Sequence, residues 1–214
     1  IVTTVGNNYS KLGIVDAMIQ ALEEKNQPVP NYLNLLKQEF SAEIKGTETA
    51  TVAMYCFWTG EKKLGKLDGV IETQPGFMGG REVVQIEYDP CVTDYETVIR
   101  NAKKSSCASH VYASNSEQKQ LSEKVVGASS TSQKGKFRLD SEPKYYLSKT
   151  NYKYVPMTSL QAVKVNSSIG EGQSPDKYLS ERQLAILKYI RANPNEKTWQ
   201  SAINVEIGKA WENI

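Results

Sequence analysis

Histidine is nearly missing from this chain. His110 is the only one in 214 residues, which excludes a multi-histidine metal centre and leaves a Ser-His triad only through that residue. Cysteine is scarce too. Cys56, Cys91 and Cys107 are the three, too few for a disulfide-dense scaffold and odd in number, so at most one intrachain pair forms with one thiol left over. No apolar run approaches the roughly 18 residues that a membrane span needs. Neither sign of charge dominates: 26 Lys and Arg face 24 Asp and Glu, a net charge of +2. There is therefore no electrostatic case for nucleic acid or an anionic membrane. What is present, 39% hydrophobic and 23% charged residues, is ordinary for a soluble globular protein. The length suffices for one large domain or one domain with helical extensions. The chain starts at Ile1 rather than Met. The native N-terminus is expected upstream, so cytoplasmic and exported locations both stay open.

The organisation follows from hydrophobic period and turn residues. Residues 1–46 predict two amphipathic helices broken by Pro28 and Pro30. The first carries Ile14, Met18, Leu22, Val15 and Ile19 on one face, and the second carries Leu33, Leu36, Phe40 and Ile44, with Gly46 as its stop. Residues 47–127 alternate in type. They read as strand 47–55, helix 57–67, strand 70–77, a turn at Gly76, Gly79 and Gly80, strand 82–88, a helix from Asp94 to Lys104, strand 109–113 and helix 117–126. The order β-α-β-β-α-β-α is the split βαβ, ferredoxin-like arrangement, which sets the fold class as α+β. Residues 128–137 read as an exposed linker loop. Residues 138–169 hold Tyr145, Tyr146, Tyr152 and Tyr154 among Lys and Pro and are expected to be mostly extended and irregular, with a helix at 159–169. A helix at 180–191 carries Leu184, Leu187 and Ile190 inward, and a last one is expected at 195–213. The division is thus a helical N-terminal extension at 1–46, a core at 47–127, and a C-terminal extension at 128–214 packed on it.

The stretch Met54-Tyr55-Cys56-Phe57-Trp58 joins the first strand to the helix after it. A cysteine there sits near the positive end of a helix dipole, which favours the nucleophilic thiolate, and two aromatics give the sulfur an apolar wall. The plainer reading of the same residues is a buried cysteine with two core aromatics.

Several blocks in order and spacing favour the first of these readings: Cys56-Phe57-Trp58, then Gly65-Lys66-Leu67-Asp68-Gly69-Val70, Gly79-Gly80, Glu82 through Pro90 (EVVQIEYDP), and Asn115-Ser116-Glu117-Gln118-Lys119. Over about residues 48–126 the chain resembles peptide methionine sulfoxide reductase A. The resemblance implies a peptide-methionine (S)-S-oxide reductase. Cys56 attacks the sulfoxide sulfur and becomes a sulfenic acid, Phe57 and Trp58 hold the substrate methyl, and Glu82 supplies the proton to the sulfoxide oxygen. It implies no bound cofactor, methionine sulfoxide in protein or free form as substrate, and an external dithiol such as thioredoxin as reductant. Oxygen transfer fits that set: a thiolate with one open face, an apolar cradle and a buried carboxylic acid.

The departures from the family are informative. Tyr55 and Thr59 replace the glycines that flank its Cys-Phe-Trp. Only Arg81 lies between Gly80 and Glu82, so a long loop with an oxygen-binding tyrosine is absent. The place of a second such tyrosine falls on Cys107, and a nearby family aspartate has no counterpart. Tyr145 and Tyr146 are the candidates to supply one of these missing oxygen-binding tyrosines from the C-terminal part. By the same resemblance Cys107 faces Cys56, as a resolving thiol or as one half of a dithiol centre without sulfoxide activity. Cys56, Cys107, His110 and Glu82 together form a thin donor set, and no metal is expected. His110 is either a partner that lowers a thiol pKa or, if residues 109–113 alternate, a structural residue pointing away. Cys91, at a strand end, is expected to be a bystander. Three functions remain in play: sulfoxide reductase, thiol–disulfide or redox-sensing protein, and non-enzymatic binding module.

Overall fold

A computed structural model of the chain describes residues 10–195 and Lys209. Its centre is a six-stranded sheet. The strands are β1 (Glu48–Ala53), β2 (Val70–Met78), β3 (Arg81–Tyr88), β4 (His110–Ala113), β5 (Thr131–Gln133) and β6 (Arg138–Leu139), in spatial order β5-β4-β1-β3-β2-β6. β1 pairs antiparallel with β3 (Val52 opposite Val84) and with β4 (Val52 opposite Val111). β2 and β3 form a hairpin whose two-residue turn, Gly79-Gly80, has φ of 55° and 74°. Two successive positive φ values match the twist of the flanking strands and favour glycine at both places. Gly76, expected in that turn, lies inside β2 opposite Leu139 of β6.

The period of two along the strands divides the core. Val52, Val84, Ile86, Tyr88 and Val111 face one side. There they meet α3 (Phe57–Gly65), α4 (Tyr95–Lys104) and α5 (Ser116–Val126) through Phe57, Leu64, Val98, Ile99 and Val125. Ala53, Met78, Val83 and Tyr112 face the other side under Phe137. Asp94 and Asn115 cap α4 and α5 by accepting from the backbone N–H groups of Thr97 and Gln118.

Around this unit lie α1 (Lys11–Glu23), α2 (Asn31–Lys45), α6 (Tyr145–Ser148), α7 (Ser159–Gly170) and α8 (Glu181–Ala192). α1 and α2 meet through Val15, Ile19 and Leu33. Their inward faces are narrower than the sequence pattern implies, because Ile14 (45%), Met18 (41%) and Ile44 (66%) are exposed. α2 instead turns a second stripe, Leu35 and Ala42, toward Ile71 and Leu160. Thr158 with Gln161, and Ser180 with Gln183, form reciprocal capping boxes that start α7 and α8.

Two expectations change. Residues 128–137 are not a free linker: Thr131–Gln133 adds β5 parallel to β4. Composition gave no hint, because a short edge strand is held by ladder hydrogen bonds rather than by apolar side chains. Residues 138–158 contain β6 and α6 rather than only irregular backbone. Apart from Asn195 and Lys209, the helix expected over 195–213 lies outside the described residues. Among those described, no helix is long and apolar enough to cross a membrane.

α7 is clamped to α3 by polar groups. The backbone of Gly65 lies so close that an added Cβ would stand 2.8 Å from both Ser167 Oγ and Val163 Cγ1. Lys164 Nζ, on a side chain only 6% exposed, donates to the carbonyls of Gly65 and Leu67, both at 2.8 Å. Burial pulls its pKa down from 10.5 to about 8, against the opposing pull of Asp68. Between those values the unfolded chain binds the proton and the folded chain does not, so this group adds stability as pH rises. The difference in unfolding free energy between wild type and Lys164→Met is therefore expected to rise from pH 8 to 10.5, on the order of 2–3 kcal/mol. Urea titrations at several pH values measure it, and a flat difference would refute the depressed pKa.

Candidate active site

β1 ends at Ala53 and α3 begins at Phe57, so Cys56 is the N-cap residue of α3, with extended φ −140° and ψ 111°. Its side chain makes no capping hydrogen bond and is half-buried. The first-turn N–H groups and the dipole of α3 point toward the sulfur's end of the helix, where negative charge is favoured.

Glu82 supplies the acceptor that the cap lacks. It is the second residue of β3, which pairs with β1, and its backbone carbonyl accepts from the N–H of Met54 at 3.1 Å. The half-buried side chain reaches the helix end, where Oε2 accepts from the N–H of Phe57 at 2.9 Å. A carboxylate predicted from a strand end is thus held beside the residue that follows the cysteine.

The aromatics extend this wall. Phe57 is buried and meets Phe77 edge-on at 5.3 Å. Trp58 lies 5.5 Å from Phe57 and stacks on Tyr145 at 3.9 Å with 14° between the planes. Tyr146 touches Tyr145 edge-on at 5.5 Å and lies under Lys62 Nζ at 5.3 Å. The structure therefore brings Cys56, Phe57, Trp58, Glu82 and Tyr145 to one end of α3, with Tyr146 one ring further out. Tyr55, beside the cysteine, is 98% exposed.

Cys107 follows α4 and is 2% exposed within the main core. Its Sγ donates to the carbonyl of Ser105 at 3.3 Å. Burial pushes its pKa up, Lys63 opposes that, and the neighbouring charge of Cys56 pushes it further up. Both thiols are free. Burial therefore disfavours the thiolate form of Cys107. Cys91 is exposed on the loop after β3.

His110 belongs to the other face of the sheet. Its Nε2 shares a 2.7 Å hydrogen bond with Ser132 Oγ on β5, and its ring meets Tyr112 edge-on at 5.0 Å. Burial first, then Arg81, pulls its pKa below the usual value. That is the structural role implied by strand alternation, and not a thiol partner. Among the described residues, no group of three or more His, Cys, Asp and Glu side chains is placed to hold a metal ion.

Sequence reasoning missed Glu61. It is 0% exposed on α3, one turn beyond Phe57. Both carboxylate oxygens accept from the N–H of Lys144, at 3.1 and 3.0 Å, and Oε1 lies 3.1 Å from Lys144 Nζ. The signal was there, because Glu61 falls on the same helix face as Phe57 and Leu64, where a charge conflicts with the apolar pattern. Lys144 carried no such signal. A groove of about 960 Å³ lined by Glu48, Asp94, Arg100 and Glu117 lies at the opposite end of β1 from Cys56.

A thiol at a helix N-terminus, a carboxylate tied to the same helix end and an aromatic wall describe a site for thiol-based chemistry. Comparison with known proteins points the same way. The chain is 37% identical over 70 residues to peptide methionine sulfoxide reductase MsrA of Methanococcus maripaludis, covering 25% of this chain and 45% of that protein. It is 38% identical over 69 residues to MsrA 1 of a Nostoc species (24% and 42%) and 33% identical over 69 residues to MsrA of Pelagibacter ubique (24% and 47%). No family model matches. The relationship to these reductases is therefore partial, and the chain spans less than half the length of the curated relatives it matches.

Proposed function

We propose that this chain is a thiol-dependent oxidoreductase that reduces methionine sulfoxide, as a divergent relative of the peptide methionine sulfoxide reductases. The observation that carries the reading is the 2.9 Å hydrogen bond from the N–H of Phe57 to Glu82, which holds a carboxyl group at the helix end occupied by Cys56. The strand order β4-β1-β3-β2, with α3 and α4 packed on one face, supports a ferredoxin-like core at 47–127, with 1–46 and 128–214 as extensions.

In the proposed reaction the Cys56 sulfur attacks the sulfoxide sulfur while Glu82 serves as the general acid toward the oxygen. The sulfur–oxygen bond and the sulfur–sulfur bond made by the attack then both break as oxygen passes to the Cys56 sulfur, which releases methionine. The methionine sulfur is reduced by two electrons and Cys56 is oxidised to the sulfenic acid. Phe57, Trp58, Tyr145 and Tyr146 form the apolar cradle for the methyl group. Cys107 then attacks the sulfenic sulfur, releasing water and leaving a Cys56–Cys107 disulfide, which a thioredoxin-like dithiol reduces.

The test is methionine sulfoxide consumption with dithiothreitol as donor, followed by the amount of methionine formed. Cys107→Ser separates the two half-reactions. It is expected to leave one methionine formed per chain in a single turnover and to slow steady-state turnover about tenfold, because bulk dithiol must then reduce the sulfenic acid itself. Unchanged steady-state turnover would remove Cys107 from the cycle. A Cys56–Cys107 disulfide formed with peroxide, in a protein that consumes no sulfoxide, would instead identify a dithiol redox sensor.

A further inference from the structure

Residues 140–148 reach the Cys56 site through Tyr145, which stacks on Trp58 and directly follows Lys144. Lys144 adopts a left-handed backbone conformation, φ 55° and ψ 50°, just before α6. Its N–H is held by both oxygens of Glu61. Its Nζ lies 2.5 Å from Glu72 Oε1, 2.5 Å from the carbonyl of Thr73 and 3.1 Å from Glu61 Oε1. Burial alone would pull the pKa of Lys144 down, but Glu72 and Glu61 outweigh it and the net shift is upward. Burial pushes Glu61 the other way from its attraction to Lys144, and its net shift is upward as well. Strain, buried charge and four convergent acceptors are concentrated on a residue whose immediate successor, Tyr145, stacks on Trp58 at 3.9 Å.

We propose that Lys144 is a positioning residue: locked by Glu61, Glu72 and Thr73, it fixes Tyr145 on Trp58 and makes residues 140–148 the wall that sets substrate fit at the Cys56 site. This rests on the sulfoxide reductase reading for its substrate, but the clamp itself does not. Glu61 belongs to the helix that starts at Cys56, and Glu72 and Thr73 belong to the strand that pairs with the strand bearing Glu82. The wall is therefore referenced to the two elements that carry the proposed chemistry. A wall built this way acts on binding more than on bond breaking, because none of its charged atoms is assigned a contact with the reacting sulfur.

The experiment uses the full chain with Trp199→Phe and Trp211→Phe, so that Trp58 is the only tryptophan of the three. Acrylamide quenching reads how well Tyr145 covers it. Tyr145→Ala is expected to raise the quenching constant about threefold, and Lys144→Met to do the same with Tyr145 still present. Because Lys144→Met strands the buried Glu61 charge, the double variant Glu61→Gln/Lys144→Met is measured beside it and is expected to match. In the sulfoxide assay Lys144→Met is expected to raise KM about tenfold while kcat moves less than about threefold. If Tyr145→Ala raises the quenching and the folded Lys144 variants leave it at the wild-type value, Lys144 does not position the wall and the proposal fails. If the quenching shifts while the wild type consumes no sulfoxide, the clamp stands and the reductase reading falls.

Discussion

Cys56→Ser is expected to abolish sulfoxide turnover, by on the order of 10³-fold or more, with the fold unchanged. Serine keeps the size and the N-cap position. A hydroxyl at a helix N-terminus can also cap it, so the melting temperature should hold or rise slightly. What it cannot do is accept the sulfoxide oxygen, since an alcohol oxygen has no two-electron oxidation that parallels thiolate to sulfenic acid. Cys91→Ser, on an exposed loop, is the matched control and should leave the rate unchanged. Residual turnover of Cys56→Ser near the wild-type level would move the chemistry to another thiol.

Glu82→Gln carries the second large effect. The amide keeps an oxygen for the Phe57 N–H, which now sits 2.9 Å from Glu82 Oε2, so the helix end should be preserved. It removes the ionisable proton. Loss of a general acid costs on the order of 10²–10⁴-fold, expected here in kcat with little change in KM. Glu82→Ala would add a structural penalty, because the helix end then loses its acceptor. Kinetics and thermal melting of both variants distinguish the roles: equal kcat for Gln and wild type would reduce Glu82 to a cap.

The strands and helices of 47–126 were legible because their apolar period changes cleanly between two and 3.6, and because Gly79-Gly80, Asp94 and Asn115 mark their ends with turn and cap chemistry. The inward direction of Val111, and hence the outward direction of His110, followed from alternation alone. β5 was not legible, since Thr131, Ser132 and Gln133 resemble a loop in composition and owe their state to pairing with β4. The α1 face was overread: Ile14 and Met18 fit the helical period, yet the neighbouring α2 covers only Val15 and Ile19 fully. At the site, Cys56, Phe57 and Trp58 could be placed from their local context. The contact between Trp58 and Tyr145 spans 87 positions, and so nearly does the Glu61–Lys144 salt bridge beside it, so no local pattern encodes either.

Oxygen transfer from a sulfoxide sulfur to Cys56 leaves two products, methionine and a sulfenic acid. A single turnover without reductant tests it most directly: reduced protein, methionine sulfoxide in excess, dimedone to trap sulfenic acid, and peptide mass mapping with methionine quantified in parallel. The expected result is one methionine per chain, with dimedone on Cys56 in the Cys107→Ser variant and a Cys56–Cys107 disulfide in the wild type. Methionine at background level, with Cys56 unmodified after prolonged incubation, would contradict it.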